Sequence, residues 1–395
     1  MLMIKLPSMT RNGVLLVRSR IIPFSVGVGH DSTTPRSFRM HSRRAHGGTV
    51  DSMKAVQITR QGQPVAANVI LNDTCPCPEP APGALRVRTE ASALNQLDLW
   101  VGRGVPGFDV QYPAVSGSDG VGLVDAVGDG VSESWLGRRV ILNAAVVESP
   151  SPLPDDMEPA PGTHMIGEHG PGTMAEFFLA PVENVCDIGD VDPVEAAAFG
   201  LVHLTAWRML VTRARLRHGS TVLIPGIGGG VALALLGIAK WHGCRVIVTS
   251  RHQTKLDRAI ELGADEGILD EGSDFSKTVR GMTHRRGVDV CADSVGKAVH
   301  TSCLKSLARG GVFVTCGCTS GPRAETDLAR IFWNQLTVVG STMGDMREFR
   351  EVLSLLRSGA LRPTIDSIHA SSEGAAAFSR LESGAQFGKI VIDWR

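Results

Sequence analysis

The sequence predicts an α/β protein in which a β-rich segment precedes a doubly wound, six-stranded parallel sheet. Residues 53–180 contain short apolar or β-branched runs that Gly or Pro interrupts every several residues, which is typical of short strands and turns. From residue 220 onwards, six β-rich runs alternate with helical stretches. Strands joined by crossover helices form a right-handed, doubly wound parallel sheet.

The individual elements follow from local pattern. In the β-rich segment, strands are predicted at Met53–Ile58, Ala84–Arg88, Gly120–Val127 and Val140–Asn143. The strands of the parallel sheet are predicted at Thr221–Ile224, Arg245–Thr249, Gly267–Leu269, Val288–Ala292, Val312–Thr315 and Leu336–Gly340. Helices are predicted at Val231–Trp241, Lys255–Leu262, Phe275–Met282, Ala298–Leu307, Leu328–Asn334 and Met346–Leu356, and a closing strand at Gly388–Trp394.

Charge and composition exclude several classes of partner. The 395 residues include 40 basic and 40 acidic side chains, so no global field favours nucleic acid or an anionic membrane. Gly219 to Ala239 is uncharged and long enough for a membrane span, but Pro225 and a cluster of glycines interrupt it. That pattern predicts a buried strand, a glycine turn and a buried helix. We therefore expect neither nucleic acid nor a membrane as a partner.

The N-terminal segment, residues 1–52, differs in composition from the rest. Residues 1–50 carry eight basic residues and a single acidic residue, Asp31. Many arginines with almost no acid are typical of a mitochondrial transit peptide. The alternative is an upstream extension, with Met53 as the true start. The expected location is cytoplasmic, or mitochondrial if this segment is a transit peptide.

A glycine-rich turn follows the first strand of the parallel sheet and precedes a helix that begins near Val231. Backbone N–H groups and the positive end of a helix dipole receive a pyrophosphate without any cationic side chain. Glycine is needed because a Cβ atom would hold the diphosphate away from the backbone. The residues predicted to bind a dinucleotide here are Gly226, Gly228, Gly229, Gly230 and Val231.

The end of the second strand selects the dinucleotide. An Asp or Glu there binds the ribose hydroxyls of NAD and repels a 2′-phosphate. This chain instead has Ser250 and Arg251, with Lys255 four residues after Arg251, and no acid. Because these three side chains donate to or pair with phosphate, they favour NADP(H) over NAD(H). The alternative is that the two cations are solvated surface charges.

Six segments in order carry a family resemblance over residues 53–395. They are Ala93-Leu-Asn-Gln-Leu-Asp98, Gly117-Ser-Asp-Gly-Val-Gly-Leu-Val-Asp-Ala-Val-Gly128, Gly172-Thr-Met-Ala-Glu-Phe177, Leu204-Thr-Ala-Trp207, the glycine turn and Phe387-Gly-Lys389. In these segments the chain resembles the medium-chain dehydrogenase/reductase superfamily, specifically its zinc-free quinone oxidoreductase-like branch.

The resemblance implies a GroES-like, β-rich catalytic domain and a Rossmann domain, with the active site in the cleft between them. We expect an N-terminal extension over residues 1–52, the GroES-like domain over 53–180 and the Rossmann dinucleotide-binding domain over 181–344. Residues 345–395 are expected to return to the catalytic domain. The resemblance also implies a homodimer that forms through edge strands of the Rossmann sheets.

Zinc-using relatives carry a Cys where this chain has Asn95, and a His-Glu pair where it has Ser118 and Asp119. Without a thiolate and an imidazole these residues do not make a tetrahedral zinc site, and no metal site is predicted. A cleft without a Lewis acid favours an electrophilic carbonyl substrate. A quinone, or a C=C conjugated to a carbonyl, needs only hydride alignment and hydrogen bonds to its oxygen.

The resemblance also suggests roles for individual residues. The catalytic candidates are Asn95, which would donate to substrate or carboxamide, Trp100, which would flank the nicotinamide, and Thr205, which would contact the ring or ribose. Cys316, Gly317, Cys318, Ser341, Thr342 and Met343 would border the nicotinamide half, and Lys389 would approach the cofactor from the tail. Structural roles stay open, with Asn95 and Asp98 as helix caps, Trp100 as core and Thr205 as helix packing.

The sequence thus predicts an NADPH-dependent oxidoreductase that transfers a hydride to a quinone or an α,β-unsaturated carbonyl without zinc. The alternatives are a zinc-type alcohol dehydrogenase or an enoyl-thioester reductase of the same superfamily, and a non-catalytic NADPH-binding protein. A zinc assay and a substrate screen separate the enzymes. A non-catalytic binding protein would not oxidise NADPH, whichever quinone or enone is offered.

Overall fold

Two large sheets and two two-stranded sheets, with helices packed around them, build the part of the chain that the computed structural model describes, residues 52–105, 107–149 and 161–395. The predicted α/β class, with a β-rich domain and a six-stranded parallel sheet, is confirmed. The expectations for residues 1–51 fall outside the described residues, and the predicted domain boundaries stay a prediction.

The strands, in chain order, are β1 (Ser52–Ile58), β2 (Val69–Pro76), β3 (Ala84–Ala93), β4 (Asp119–Val127), β5 (Arg139–Leu142), β6 (Ala145–Ser149), β7 (Gly162–Met165), β8 (Phe177–Pro181), β9 (Val185–Asp187), β10 (Thr221–Ile224), β11 (Arg245–Ser250), β12 (Glu266–Leu269), β13 (Val288–Asp293), β14 (Leu307–Thr315), β15 (Thr337–Gly340), β16 (Ile365–Ala370) and β17 (Lys389–Asp393). The α-helices are α1 (Gln96–Arg103), α2 (Pro193–Trp207), α3 (Gly230–Trp241), α4 (Gln253–Glu261), α5 (Ser276–Met282), α6 (His300–Ser306), α7 (Leu328–Asn334), α8 (Met346–Arg357) and α9 (Gly374–Glu382). A π-helical segment, Arg208–Arg213, extends α2.

The parallel sheet places the glycine turn at its switch point. Its strand order is β12-β11-β10-β13-β14-β15, and every neighbouring pair is parallel. All four residues of β10 are buried, as expected for a central strand covered by helices on both faces. The direction of the strand order reverses between β10 and β13, and open α/β sheets bind ligands outside the carboxyl ends of the strands at that point.

The second large sheet brings the C-terminal tail to the β-rich segment. Its order is β16-β17-β3-β4-β5-β9, and β8 also pairs with β3. Strand β17 lies antiparallel to β3, with Val391 opposite Ala93. This pairing sets Lys389, the first residue of β17, close to the residues that follow β3.

Helix α2 is an element that the sequence analysis missed. Asp192 caps it by accepting a hydrogen bond from the Glu195 N–H (3.0 Å), and Pro193 takes the first turn, where its missing N–H costs nothing. Thirteen of its 15 residues are buried. A helix that is apolar on every side shows no 3.6-residue period, because it has no solvent face.

Helix α2 and its π-helical extension together form a long apolar helix. In the described residues, Pro193–Arg213 is the one helix long and apolar enough to cross a membrane, and 83% of its apolar window is buried inside the protein. The stretch singled out in the sequence, Gly219 to Ala239, instead forms β10, the glycine turn and the start of α3, as predicted.

Candidate active site

The glycine turn leaves open space beside one of its residues. Gly226 (φ 68°) and Gly228 (φ 124°) adopt left-handed backbone conformations, and Gly229 caps the N-terminus of α3. A Cβ atom on Gly228 would lie 2.8 Å from Cδ of Lys255, whereas a Cβ atom on Gly229 would meet nothing within 4 Å. Bare backbone facing open space at a helix N-terminus fits the diphosphate of a dinucleotide.

The predicted selectivity residues lie at the end of β11, and each does something different. Ser250 is buried, and its hydroxyl oxygen accepts a hydrogen bond from the His252 N–H (3.1 Å). Arg251 is exposed. Lys255 lies against Gly228 and donates to the carbonyl oxygen of Gly384 (2.7 Å).

The surroundings of Lys255 are cationic. Burial lowers its pKa first, and the positive charges of Arg380, Arg251 and Arg258 lower the pKa further, while Asp366 opposes them. Three cations and one carboxylate around a lysine leave this corner able to accept an added anion.

The residues predicted to border the nicotinamide follow β14. Cys316 N–H donates to the Asp293 carbonyl oxygen (3.1 Å), and a Cβ atom on Gly296 would lie only 2.8 Å from Cα of Cys318. The turn 316–318 is therefore held against the carboxyl end of β13. Burial, and then the charge of Asp293, raise the pKa of Cys316 to about 12, so its thiol stays protonated at neutral pH.

The second predicted border follows β15. Ser341 N–H donates to the Thr315 carbonyl oxygen (2.9 Å), and its buried hydroxyl has no hydrogen-bond partner among the described residues. Met343 (φ 49°) turns its sulfur towards the hydroxyl of Thr205 (3.8 Å). Two residues predicted from separate motifs thus meet, and an orphaned buried hydroxyl beside them suits a polar ligand.

A network that the sequence analysis missed fixes this loop. Asn143, at the end of β5, donates to the Gly344 carbonyl oxygen (3.1 Å). The buried carboxylate of Glu348 accepts from the Asp345 N–H (2.8 Å) and from the Arg208 guanidinium (2.8 Å). The Asp345-x-x-Glu348 spacing is a capping-box pattern, and it caps α8 at Met346, where the predicted helix also begins.

A buried polar cluster lies where β3, β4 and β17 meet. The amide of Asn95 donates from Nδ2 to Asp119 Oδ2 (2.9 Å), and Lys389 Nζ donates to Asn95 Oδ1 (2.6 Å) and to Asp119 Oδ2 (2.9 Å). Asp98 accepts from the Asn95 backbone N–H (2.7 Å) and thereby caps α1. Asp98, Asp119 and Lys389 are each at most 3% exposed.

The two carboxylates of this cluster have different partners. Burial raises the pKa of Asp98 to about 6, although the Asn95 N–H and the Lys389 charge act in the opposite direction. Asp119 is fully hydrogen-bonded, since its second oxygen accepts from the Leu201 N–H of α2 (2.7 Å). Gly200 makes this approach possible, because a Cβ atom there would lie 2.6 Å from Asp119 Oδ1.

This geometry differs from two expectations, those for Asn95 and Lys389. Asn95 caps α1, and both of its amide protons face protein acceptors, the second being the Ala93 carbonyl oxygen (3.4 Å), so it has no free donor for a substrate. Lys389 reaches the cofactor turn only with its aliphatic stem, which packs on Gly230, because its ammonium points into the cluster. Helix α3 begins at Gly230, within one residue of the predicted start near Val231.

The structure places the remaining candidates as follows. Thr205 is buried on α2, and Trp100 is half-buried on α1. Thr342 is exposed, and Gly317 is half-buried between Cys316 and Cys318. Asp98, Asn143 and Glu348 are functional candidates that no motif assigned to the site. The contacts of Asn143 with Gly344 and of Glu348 with Arg208 join distant segments, and sequence spacing carries no signal for such contacts.

The polar side chains of Ser118, Asn95 and Asp119 already have protein partners. Ser118 donates its hydroxyl to the Ile166 carbonyl oxygen (2.8 Å), and the Asn95 and Asp119 oxygens already accept from the Lys389 ammonium. In the described part of the chain, no three His, Cys, Asp or Glu side chains are grouped so that they could hold a metal ion. An amide, a hydroxyl and one ion-paired carboxylate are a poor donor set for zinc.

Comparison with known proteins gives the family. Residues 81–190 match the family model described as alcohol dehydrogenase GroES-like domain, and residues 230–358 match the one described as zinc-binding dehydrogenase. A zinc-type alcohol dehydrogenase-like protein, YogA, of Leptosphaeria maculans is 30% identical over 80% of this chain and 92% of its own length. The quinone oxidoreductase of Rattus norvegicus is 24% identical over 86% of this chain and 97% of its own length.

Solved structures agree with the sequence relatives. The crystal structure of an NAD-dependent alcohol dehydrogenase superposes with a TM-score of 0.79 and 35% identity, over 87% of this chain and 100% of that one. Fold, family models and relatives of nearly full length point the same way, and the chain belongs to the medium-chain dehydrogenase/reductase superfamily of oxidoreductases.

Proposed function

We propose that this protein is an NADPH-dependent reductase that delivers a hydride to a quinone or an α,β-unsaturated carbonyl without the help of zinc. The observation that carries the proposal is the open glycine turn, set beside a cleft in which Lys389 already pairs with the polar oxygens. A relative named quinone oxidoreductase supports the choice of acceptor.

The chain's own residues would bind the dinucleotide and orient it towards the acceptor. The backbone of Gly226–Gly230 would hold the diphosphate, and Arg251 with Lys255 would receive the 2′-phosphate. Ser341, Met343 and Thr205 would line the nicotinamide half. The bound dinucleotide supplies the hydride; the protein excludes water and aligns an acceptor that is already electrophilic.

Replacing Arg251 tests the cofactor assignment. Arg251→Glu should lower the ratio of kcat/KM for NADPH to that for NADH by about tenfold to a hundredfold, because a charge-assisted hydrogen bond is worth ~1.5–3 kcal/mol. Lys277→Glu, an equal change of charge at an exposed residue of α5, is the matched control. The structural relative named for NAD defines the opposite outcome, in which wild type prefers NADH and Arg251→Glu changes nothing.

A substrate screen tests the reaction. NADPH oxidation should be fastest with quinones or enones and unaffected by prior treatment with a zinc chelator. Turnover of simple alcohols that the chelator abolishes would show instead a zinc-type alcohol dehydrogenase.

A further inference from the structure

A buried ammonium group lies where three segments of the chain meet. Lys389 Nζ donates to the Leu94 carbonyl oxygen (2.7 Å), to Asn95 Oδ1 (2.6 Å) and to Asp119 Oδ2 (2.9 Å). An ammonium has three N–H donors, and here each has an acceptor. The residue is 3% exposed, so the charge is compensated by these contacts and not by bulk water.

The ammonium fixes its neighbours. The side chain of Asn95 can accept from a cation only through Oδ1, so Nδ2 must face the carboxylate of Asp119. The other oxygen of Asp119 accepts from the Leu201 N–H of α2. One charge thus sets the orientation of an amide at the N-cap of α1 and of a carboxylate at the start of β4.

The stem of the same lysine reaches the cofactor turn. A Cβ atom on Gly230 would lie 2.8 Å from Cδ of Lys389. A small cavity beside the stem is lined by α2, by α3 and by the segment 362–364, with Val202, Leu233 and Thr364 among its walls. Lys389 therefore touches the first residue of α3 with its methylenes and the polar cluster with its charge.

We propose that the ammonium group of Lys389 is the resident cation of this cleft, at the positions where the family resemblance implies metal ligands in zinc-using proteins, and that it acts as a positioning residue for Asn95 and Asp119. The carboxylate of Asp119 pairs with this cation, and the charge of Lys389 also acts on the buried carboxyl of Asp98. A divalent ion could use the same oxygens only if the ammonium left them. The inference rests on the zinc-free reaction proposed above and names what replaces the metal.

Chemical rescue tests the charge. Lys389→Ala removes the three methylenes and the ammonium that propylammonium carries, so adding this amine should restore the lost thermal stability and raise kcat about tenfold or more over the unrescued variant. 1-Propanol fills the same space without charge and should restore neither. Lys240→Ala breaks an ion pair with Asp265 near the surface (2.7 Å) and is the matched control, with wild-type stability within experimental error.

A second pair of variants keeps the test readable if Lys389→Ala does not fold. Lys389→Met keeps the stem and leaves Asp119 without its cation, so its Tm should fall by about 5 °C or more. Adding Asp119→Asn should recover part of that loss, because it removes the unpaired carboxylate. Equal stability of wild type and Lys389→Met would overturn the proposal.

The zinc content of wild type and the effect of added Zn²⁺ on Lys389→Ala give a third test. The proposal predicts that Zn²⁺ does not replace propylammonium in Lys389→Ala, and rescue by Zn²⁺ alone would contradict it. Stoichiometric zinc in wild type would contradict both the proposal and the zinc-free reaction. Because thermal stability, its restoration by the amine and metal content need no substrate, a failed acceptor screen would leave these three measurements valid as tests.

Discussion

His203 lies in the middle of α2 and is buried against its own helix. Its ring stacks on Phe199 with 3.7 Å between ring centroids, and Nδ1 donates to the Phe199 carbonyl oxygen (2.9 Å), which can only accept. Burial lowers the pKa of His203 to about 3, and the nearby charge of Lys389 acts in the same direction. The ring is therefore neutral in the folded protein.

This residue should contribute to acid sensitivity. Between about pH 6.5 and 3 the unfolded chain binds a proton at His203 that the folded chain does not, so stability falls as the pH falls, by ~2 kcal/mol at pH 5. His203→Gln should make the loss of stability between pH 7 and 5 less steep in denaturant titrations. His164→Gln, at a partly exposed ring, is the control.

The pH dependence of stability must be compared between His203→Gln and wild type, because two carboxylates change stability with pH in the sense opposite to that of His203. Burial raises the pKa of Asp98 and of Asp293 to about 6 each. Their folded forms bind a proton more tightly than the unfolded chain, so their contribution to stability is lost as the pH rises from about 3.8 to 6. An unchanged slope in His203→Gln would show that the histidine does not titrate as described.

Within the glycine turn, a substitution at Gly229 should weaken cofactor binding without lowering the stability of the fold. Gly229 has an ordinary backbone conformation (φ −81°) and open space where a Cβ atom would stand. Gly229→Ala should therefore keep the wild-type Tm or raise it slightly. The added methyl group would meet the diphosphate, and calorimetry should show NADPH binding weakened about tenfold or more.

Gly228 gives the matched contrast within the same turn. Its φ of 124° and the nearby Cδ of Lys255 leave no room for a side chain. Gly228→Ala should lower the Tm by several degrees, whether or not cofactor is present. If Gly229→Ala binds NADPH as wild type does, the diphosphate does not lie on this turn.

Elements with a pattern of their own could be predicted. The strands of the parallel sheet, the helix α7 and the glycine turn all appear within a residue or two of their predicted bounds, with one exception. Strand β14 begins at Leu307, not at Val312, because the segment that contains Gly310 and Gly311 continues the strand. Helix α2 escaped prediction because burial on every side removes the period that marks a surface helix.

The polar cluster could not be predicted, and the reason is topological. Asp119 and Lys389 are 270 residues apart, and the return of β17 to β3 brings them together. No zinc site is predicted at Asn95 and Asp119, because the family resemblance implies a Cys and a His-Glu pair at these positions in zinc-using relatives. The sequence analysis could not show that a lysine from the tail would pair with both.

At the scale of the whole molecule, the outer edge of the parallel sheet suggests how two copies associate. Strand β15 stands at the edge, and Val338 on it is 46% exposed. Leu328, Phe332 and Trp333 of α7 are 71%, 68% and 73% exposed. We propose that this apolar face and edge form the interface of a homodimer.

Sedimentation tests the interface. Wild type should sediment with the mass of two chains, and Trp333→Glu combined with Val338→Pro should sediment as one chain, because the charge and the lost N–H oppose pairing of the edges. Leu262→Glu, at an exposed apolar residue elsewhere, should stay dimeric. A monomeric wild type would refute the assignment.

The central claim is that a reduced pyridine dinucleotide binds on the backbone of Gly226–Gly230 in a cleft whose cation is Lys389. The most direct test is a calorimetric titration of NADPH into protein that has been stripped with a zinc chelator. One NADPH should bind per chain, with the same affinity before and after treatment with the zinc chelator. Absence of binding by NADPH and NADH alike, or binding that only added zinc restores, would contradict it.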